Sequence, residues 1–226
     1  MASEELLKHQ KEMAYKRRVY AQARAIIQRG RNAGIPDKYL RIGKKDFTEL
    51  LCPKYHGDIN KFADTVYNTP DRLFKRSFIV IDGGDMYSRK KAGFAILFRM
   101  IACDKYGKYF DCAQLASEFQ TIKFSGGDNR NDLIKEVKQE GILFLNEFHK
   151  KKFSAHLGDS GGFFDQLLEF RDDYSKPTII TFTNPLQKGV ENRGNALTDD
   201  RCGQYLAMLS RSDMKKNENV LRIKVI

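Results

Sequence analysis

Apolar residues recur every seven positions at the start of the chain, at Leu6, Met13, Tyr20 and Ile27, with Val19, Ala23 and Ile26 on the same side. That spacing predicts one helix over residues 3 to about 32, ended by Gly30 and by Gly34-Ile35-Pro36. From Tyr39 to Asp71 the pattern is mixed, with a weak helical stretch at about 58–68. The order then becomes regular. Ser77 to Ile81 is a short β-branched apolar run followed by Asp82-Gly83-Gly84, which reads as a buried strand ending in a turn. Helical spacing over 90–104 puts Phe94, Leu97, Phe98 and Ile101 on one stripe. A strand at 109–112, a short helix at 113–120 and a helix at 128–139 follow, then the most apolar strand, Gly141 to Phe148. The remainder alternates in the same way, with helix 163–174, strand 177–183, helix 198–211 and a closing strand 220–226. Apolar strands alternating with helices imply βαβ units around a parallel sheet covered on both faces.

Composition narrows the class. The 226 residues suit one domain with a tail, or two small ones. An apolar content of 41% is that of a folded protein. Lys and Arg number 40 against 29 Asp and Glu, a net charge of +11, which favours a polyanionic partner. The first helix carries Lys8, Lys11, Lys16, Arg17, Arg18, Arg24, Arg29 and Arg31 against Glu4, Glu5 and Glu12. It is either a solvated face or an arm for nucleic acid or a partner protein. No apolar run is long enough to span a bilayer, and Glu4 and Glu5 stand where a signal peptide is basic, so a soluble, cytoplasmic chain with no membrane partner is expected. Cys52, Cys103, Cys112 and Cys202 form no Cys-x-x-Cys pair, against both a disulfide framework and a zinc site in a reducing compartment. His9, His56, His149 and His156 have no metal-ligand spacing. No metal site is expected from either residue type.

Three of the predicted strands end in polar residues at their carboxyl ends, where doubly wound sheets bind ligands. After the first comes Gly84-Asp85-Met86-Tyr87-Ser88-Arg89-Lys90-Lys91. Against the phosphate-loop pattern G-x-x-x-x-G-K-[ST], Gly84 and Lys90 match, Arg89 stands for the second glycine and Lys91 for the hydroxyl that binds magnesium. Alone, this segment fits a bare strand-turn-helix as well as a phosphate loop. Ile142-Leu143-Phe144-Leu145-Asn146-Glu147 has the form of a Walker B strand, with Asn146 in place of the aspartate and Glu147 in the general-base position. The plainer reading makes both residues strand caps. Ile179-Ile180-Thr181-Phe182-Thr183 ends in Asn184. Asp128, after Ser125-Gly126-Gly127, reads as a helix N-cap, Asp172-Asp173 and Asp199-Asp200 as solvated helix ends, and Lys150-Lys151-Lys152 as a basic loop.

The ordered set Gly84…Lys90, Asn146-Glu147, Lys176-Pro177-Thr178-Ile179-Ile180-Thr181-Phe182-Thr183-Asn184 and Ser210-Arg211, with Gly34-Ile35-Pro36-Asp37-Lys38-Tyr39 ahead of it, resembles the AAA+ ATPases of the bacterial helicase-loader group, the DnaC and DnaI type, and the related transposition ATPase IstB. It covers roughly residues 34–226. The resemblance implies an α/β fold, the AAA+ (ASCE) P-loop NTPase three-layer sandwich with a parallel five-stranded sheet. It implies a core over 34–226 without a separate lid domain, preceded by the basic helix 1–33. Also implied is ATP or ADP at Gly84, Ser88, Arg89, Lys90, Lys91 and Asn146, with Glu147 as base and Asn184 as the sensor of the γ-phosphate. Arg211 falls at the arginine-finger position, with Arg201 on the same helix as a competitor. Lys91 and Asn146 replace both protein handles on Mg²⁺, so hydrolysis is expected to be weak or absent, and the site either binds nucleotide without efficient turnover or is vestigial. The implied function is that of a helicase-loader-like protein in DNA replication, binding a replicative helicase and single-stranded DNA and able to form a homo-oligomer. Two alternatives stay open: an IstB-like transposition regulator on duplex DNA with a transposase, and a non-enzymatic adaptor with a dead nucleotide site. A phage or mobile-element source would suit the degenerate motifs.

Overall fold

A computed structural model describes residues 2–103, 105–125, 135–138, 140–148, 160–182 and 219–226. Five strands, β1 (Phe78–Gly83), β2 (Gly107–Asp111), β3 (Ile142–Phe148), β4 (Thr178–Phe182) and β5 (Val220–Val225), form one sheet in the order β2-β3-β4-β1-β5. Every pairing is parallel, with Ile79 in register with both Ile179 and Leu221. The apolar runs suit this because a parallel strand is buried on both faces. Alternate residues of β1 diverge accordingly. Ile79 and Ile81 face one core, with Phe94, Leu97, Met100, Phe144 and Ile179. Phe78 and Val80 face the other, with Leu115, Leu143, Leu145, Phe164, Leu167 and Ile180.

Helices α1 (Ala2–Asn32), α2 (Lys44–Leu50), α3 (Ile59–Asn68) and α4 (Met86–Ala102) precede or follow β1. α5 (Cys112–Ser125) and α6 (Ser160–Asp173) cover the second face through Leu115, Phe164 and Leu168. Gly93 in α4 marks its closest approach to the sheet, since a Cβ there would lie 2.2 Å from Cζ of Phe144. α2, short and half exposed, is absent from the sequence-based reading. Its start is fixed by Asp46, whose carboxylate accepts the Gly43 N–H at 2.9 Å.

α1 is as long as its seven-residue spacing predicts, yet the stripe that predicts it is not a core face. Leu6 is 60% exposed and Tyr20 69%, and residues 6–25 are exposed all round. Only the last turns are anchored, where Ile26 packs on the core and Gly30 lies against Leu40 and Phe98. The helix expected over 90–104 begins four residues earlier, at Met86. The physical reason is Asp85, whose carboxylate caps the first turn. No described helix is long and apolar enough to cross a membrane.

Candidate functional site

The carboxyl ends of β1, β2, β3 and β4 bring together the residues singled out above. β1 turns into α4 through Gly83 (φ 78°) and Gly84 (φ 52°), conformations glycine adopts freely. Side chains are also excluded by space, because a Cβ on Gly84 would lie 2.5 Å from the Ile226 carbonyl oxygen and one on Gly83 2.7 Å from that of Val225. The turn is therefore pressed onto the end of β5.

α4 starts two residues after Gly84. Asp85 Oδ1 accepts the Ser88 N–H at 2.6 Å and the Arg89 N–H is already bonded back to the Asp85 carbonyl at 3.2 Å. The bond from the Ser88 N–H, aided by the Ser88 side chain, holds the Asp85 carboxyl below its ordinary range. Arg89 is only 3% exposed. Its Nη1 donates to the carbonyls of Gly83 (3.0 Å) and Gly84 (2.9 Å), and Nη2 to Oε1 of Glu147 at 3.4 Å. Nε is buried with no hydrogen-bond partner among the described residues. Lys90 does not join this group. Its ammonium lies over the Tyr109 ring at 5.3 Å and the Phe94 ring at 5.9 Å, where cation–π attraction holds it. Ser88 and Lys91 are half-buried on the first turns of α4.

Asn146 is buried and spent laterally. Its Oδ1 accepts from Thr181 Oγ1 at 3.0 Å and its Nδ2 donates to Asp111 Oδ2 at 3.3 Å. The other Asp111 oxygen caps α5 through the Ala113 and Gln114 N–H groups. Glu147 has φ 57°, uncommon for a non-glycine residue and worth about 1–2 kcal/mol of strain. The β3–β4 register shifts between Leu145 and Phe148, and the Glu147 N–H donates to Thr181 Oγ1 at 2.8 Å. Thr181 thus bridges the two residues of the Walker B-like pair. Nearby, burial and then the charge of Asp111 push the Tyr109 phenol up. At the end of β1, Asp82 Oδ2 accepts from Arg222 Nε at 2.8 Å, a pair the sequence does not announce because its members are 140 residues apart. Asn184, Arg211 and Arg201 lie outside the described residues, as do Asp128, Lys150, Lys151 and Lys152.

The structure is similar to a crystal structure of the DnaC helicase loader, with a TM-score of 0.50 and 16% identity over 73% of this chain and 89% of that one. The fold is DnaC-like. No family model and no curated protein matches the sequence. The five-stranded parallel sheet matches that P-loop NTPase-like fold.

The residues as arranged do not fit a magnesium-bound nucleotide. A phosphate needs N–H groups free at a helix N-terminus, but the Ser88 N–H is taken by Asp85 and the glycine carbonyls point at Arg89. Lys90, the phosphate lysine of the pattern, is turned to Tyr109. Lys91 supplies no oxygen ligand and Asn146 is engaged by Thr181 and Asp111. Asp85, Asp111 and Thr181 are the members that the motif comparison missed. For Asp85 a signal existed, an aspartate three residues ahead of Ser88 at a helix start. For Thr181 and Asp111, three-dimensional adjacency alone assigns the role.

Proposed function

We propose that this chain is a helicase-loader-like protein of DNA replication, engaging a replicative helicase and single-stranded DNA with little or no ATP hydrolysis. The likeness to the DnaC helicase loader across 89% of that chain carries this reading. The exposed, basic α1 supports it as the element that meets a polyanion. In this reading Glu147 is the residual base position, Asn184 and Arg211 are the sensor and finger, and Gly84, Ser88, Arg89, Lys90, Lys91 and Asn146 are what remains of a nucleotide site. The chain acts in the cytoplasm and is able to assemble with copies of itself.

The test mixes the purified chain with the hexameric replicative helicase of its native host and follows complex formation by size-exclusion chromatography with light scattering. A stable complex, weakened when residues 1–30 are deleted, is expected. Fluorescence anisotropy with labelled single-stranded DNA should show affinity falling steeply with salt, and the deletion should lower the salt slope by about one unit per lost phosphate contact. Capture of a transposase with preference for duplex DNA would replace this reading by the IstB-like one. The closed geometry around Arg89 favours one further reading, an adaptor that works without nucleotide, which the same helicase complex formed in the absence of ATP would support.

A further inference from the structure

The geometry points to a P-loop filled from within: Asp85 stands where a phosphate would sit, the Arg89 guanidinium where a cation would sit, and together they shut the site to nucleotide. The inference rests on reading the turn after β1 as the nucleotide site of the fold, not on the helicase or DNA assignments.

Two complementary halves make the case. The N-terminus of a helix carries a partial positive charge and unpaired N–H groups, which attract an anion. At α4 that anion is the Asp85 carboxylate, 2.6 Å from the Ser88 N–H. An incoming phosphate would have to displace a bond already made and approach a like charge. The second half is the lining of the turn. A phosphate cradle turns N–H groups inward, whereas here the carbonyl oxygens of Gly83 and Gly84 point in, at 3.0 and 2.9 Å from Arg89 Nη1. Oxygen lining suits a cation and repels an anion. Arg89 supplies the cation, and its second nitrogen reaches Glu147, the carboxylate at the Walker B-like position, at 3.4 Å.

Gly83 and Gly84 carry these carbonyls in a turn packed on the end of β5. Both have positive φ and both are pressed on the carbonyls that end β5. Opening the site therefore requires Arg89 to leave a pocket in which it is only 3% exposed and the first turn of α4 to lose its cap. Because Nε of Arg89 has no hydrogen-bond partner among the described residues, the plug is held less completely than a structural arginine. It is the natural place to cut.

Isothermal titration calorimetry with Mg·ADP and with Mg·ATP tests this on the full chain, its D85N variant and the double variant D85N/R89G. Asparagine preserves the cap and removes the charge, and glycine restores the residue of the phosphate-loop pattern at position 89. The parent chain should give no saturable binding into the millimolar range. D85N should tighten Mg·ADP binding until a saturable isotherm appears, and the double variant should bind about tenfold or more tighter than D85N. Micromolar binding by the parent overturns the inference. So does a folded double variant, judged by its circular dichroism and melting, that binds no better than the parent. If the double variant fails to fold, D85N decides, and the absence of any gain there is equally fatal. A helicase complex that fails to form while the variants do gain nucleotide would sink the loader reading and leave this one standing.

Discussion

Two arginines are buried at opposite ends of the same sheet, and they are held very differently. Arg171, on the last turn of α6 near the amino ends of β3 and β4, is fully buried. Its Nε donates to Thr178 Oγ1 at 2.7 Å, and its terminal nitrogens donate to the carbonyls of Val137, Lys138, Glu140, Gly141 and Pro177 at 2.8 to 3.4 Å. Burial pulls its guanidinium below the ordinary value, opposed by the charge of Glu140. Arg89 at the carboxyl end has two carbonyls, one long bond to a carboxylate and an Nε with no hydrogen-bond partner among the described residues. A buried cation whose donors are all met acts as a clamp. One that is incompletely met marks a place the fold has left adjustable.

The sharpest way to break this contrast is Arg171→Met, which strands several buried carbonyls at once. A loss of about 3–5 kcal/mol in urea unfolding is expected, and a loss under about 1 kcal/mol would show that Arg171 is no clamp. Next comes Thr181→Val, which leaves the Asn146 amide oxygen and the Glu147 N–H without their partner. About 2 kcal/mol should go, measured in the same way, because Thr181 rather than Arg89 holds the end of β3. The double variant Arg89→Met/Glu147→Gln removes both members of the loose pair and should cost less than about 2 kcal/mol. A larger loss would make the two arginines equals.

The smallest effect is one of pH. His56 Nε2 lies 3.1 Å from the Lys224 carbonyl oxygen and 3.0 Å from the Lys224 backbone nitrogen, and its ring stacks on Phe62. Burial depresses its pKa, opposed by the hydrogen bond that Nε2–H donates to the Lys224 carbonyl and by the charge of Asp82. With the folded value below the unfolded one, the unfolded chain binds more protons, so this contribution is complete above about pH 6.5 and is lost as the pH falls towards the depressed folded value. The melting temperature of His56→Gln should therefore change less between pH 7.5 and 5 than that of the parent. Parallel curves would remove His56 from the account.

Much of this was legible in one sequence, for a physical reason. Strands buried on both faces must be nearly continuous apolar runs, so Phe78 to Ile81, Ile142 to Leu145 and Thr178 to Phe182 announce themselves, and so does α1 through its seven-residue spacing. Short elements with little burial do not, which is why α2, with only Phe47 and Leu50 buried, escaped. At the site, the spacing from Gly84 to Lys90 was legible but its conformation was not. The same residues can wrap a phosphate or wind into a helix, and Asp85 decides for the helix. Asn146 showed the same gap. Its identity read as a weakened metal ligand, while its partners Thr181 and Asp111 come from neighbouring strands that only the sheet order brings alongside.

The exposed part of α1 has a mechanical consequence. Residues 6–25 extend for about 30 Å at 1.5 Å per residue, and the rod is fastened to the body at Gly30, which lies against Leu40 and Phe98 of α4. A tilt of about 10° at that fastening, about 36 Å from residue 6, sweeps that end through about 6 Å, a little over one helical turn. Small changes at the foot thus become large displacements at the tip. Any load gripped by the tip returns its torque to α4, the helix that Asp85 starts.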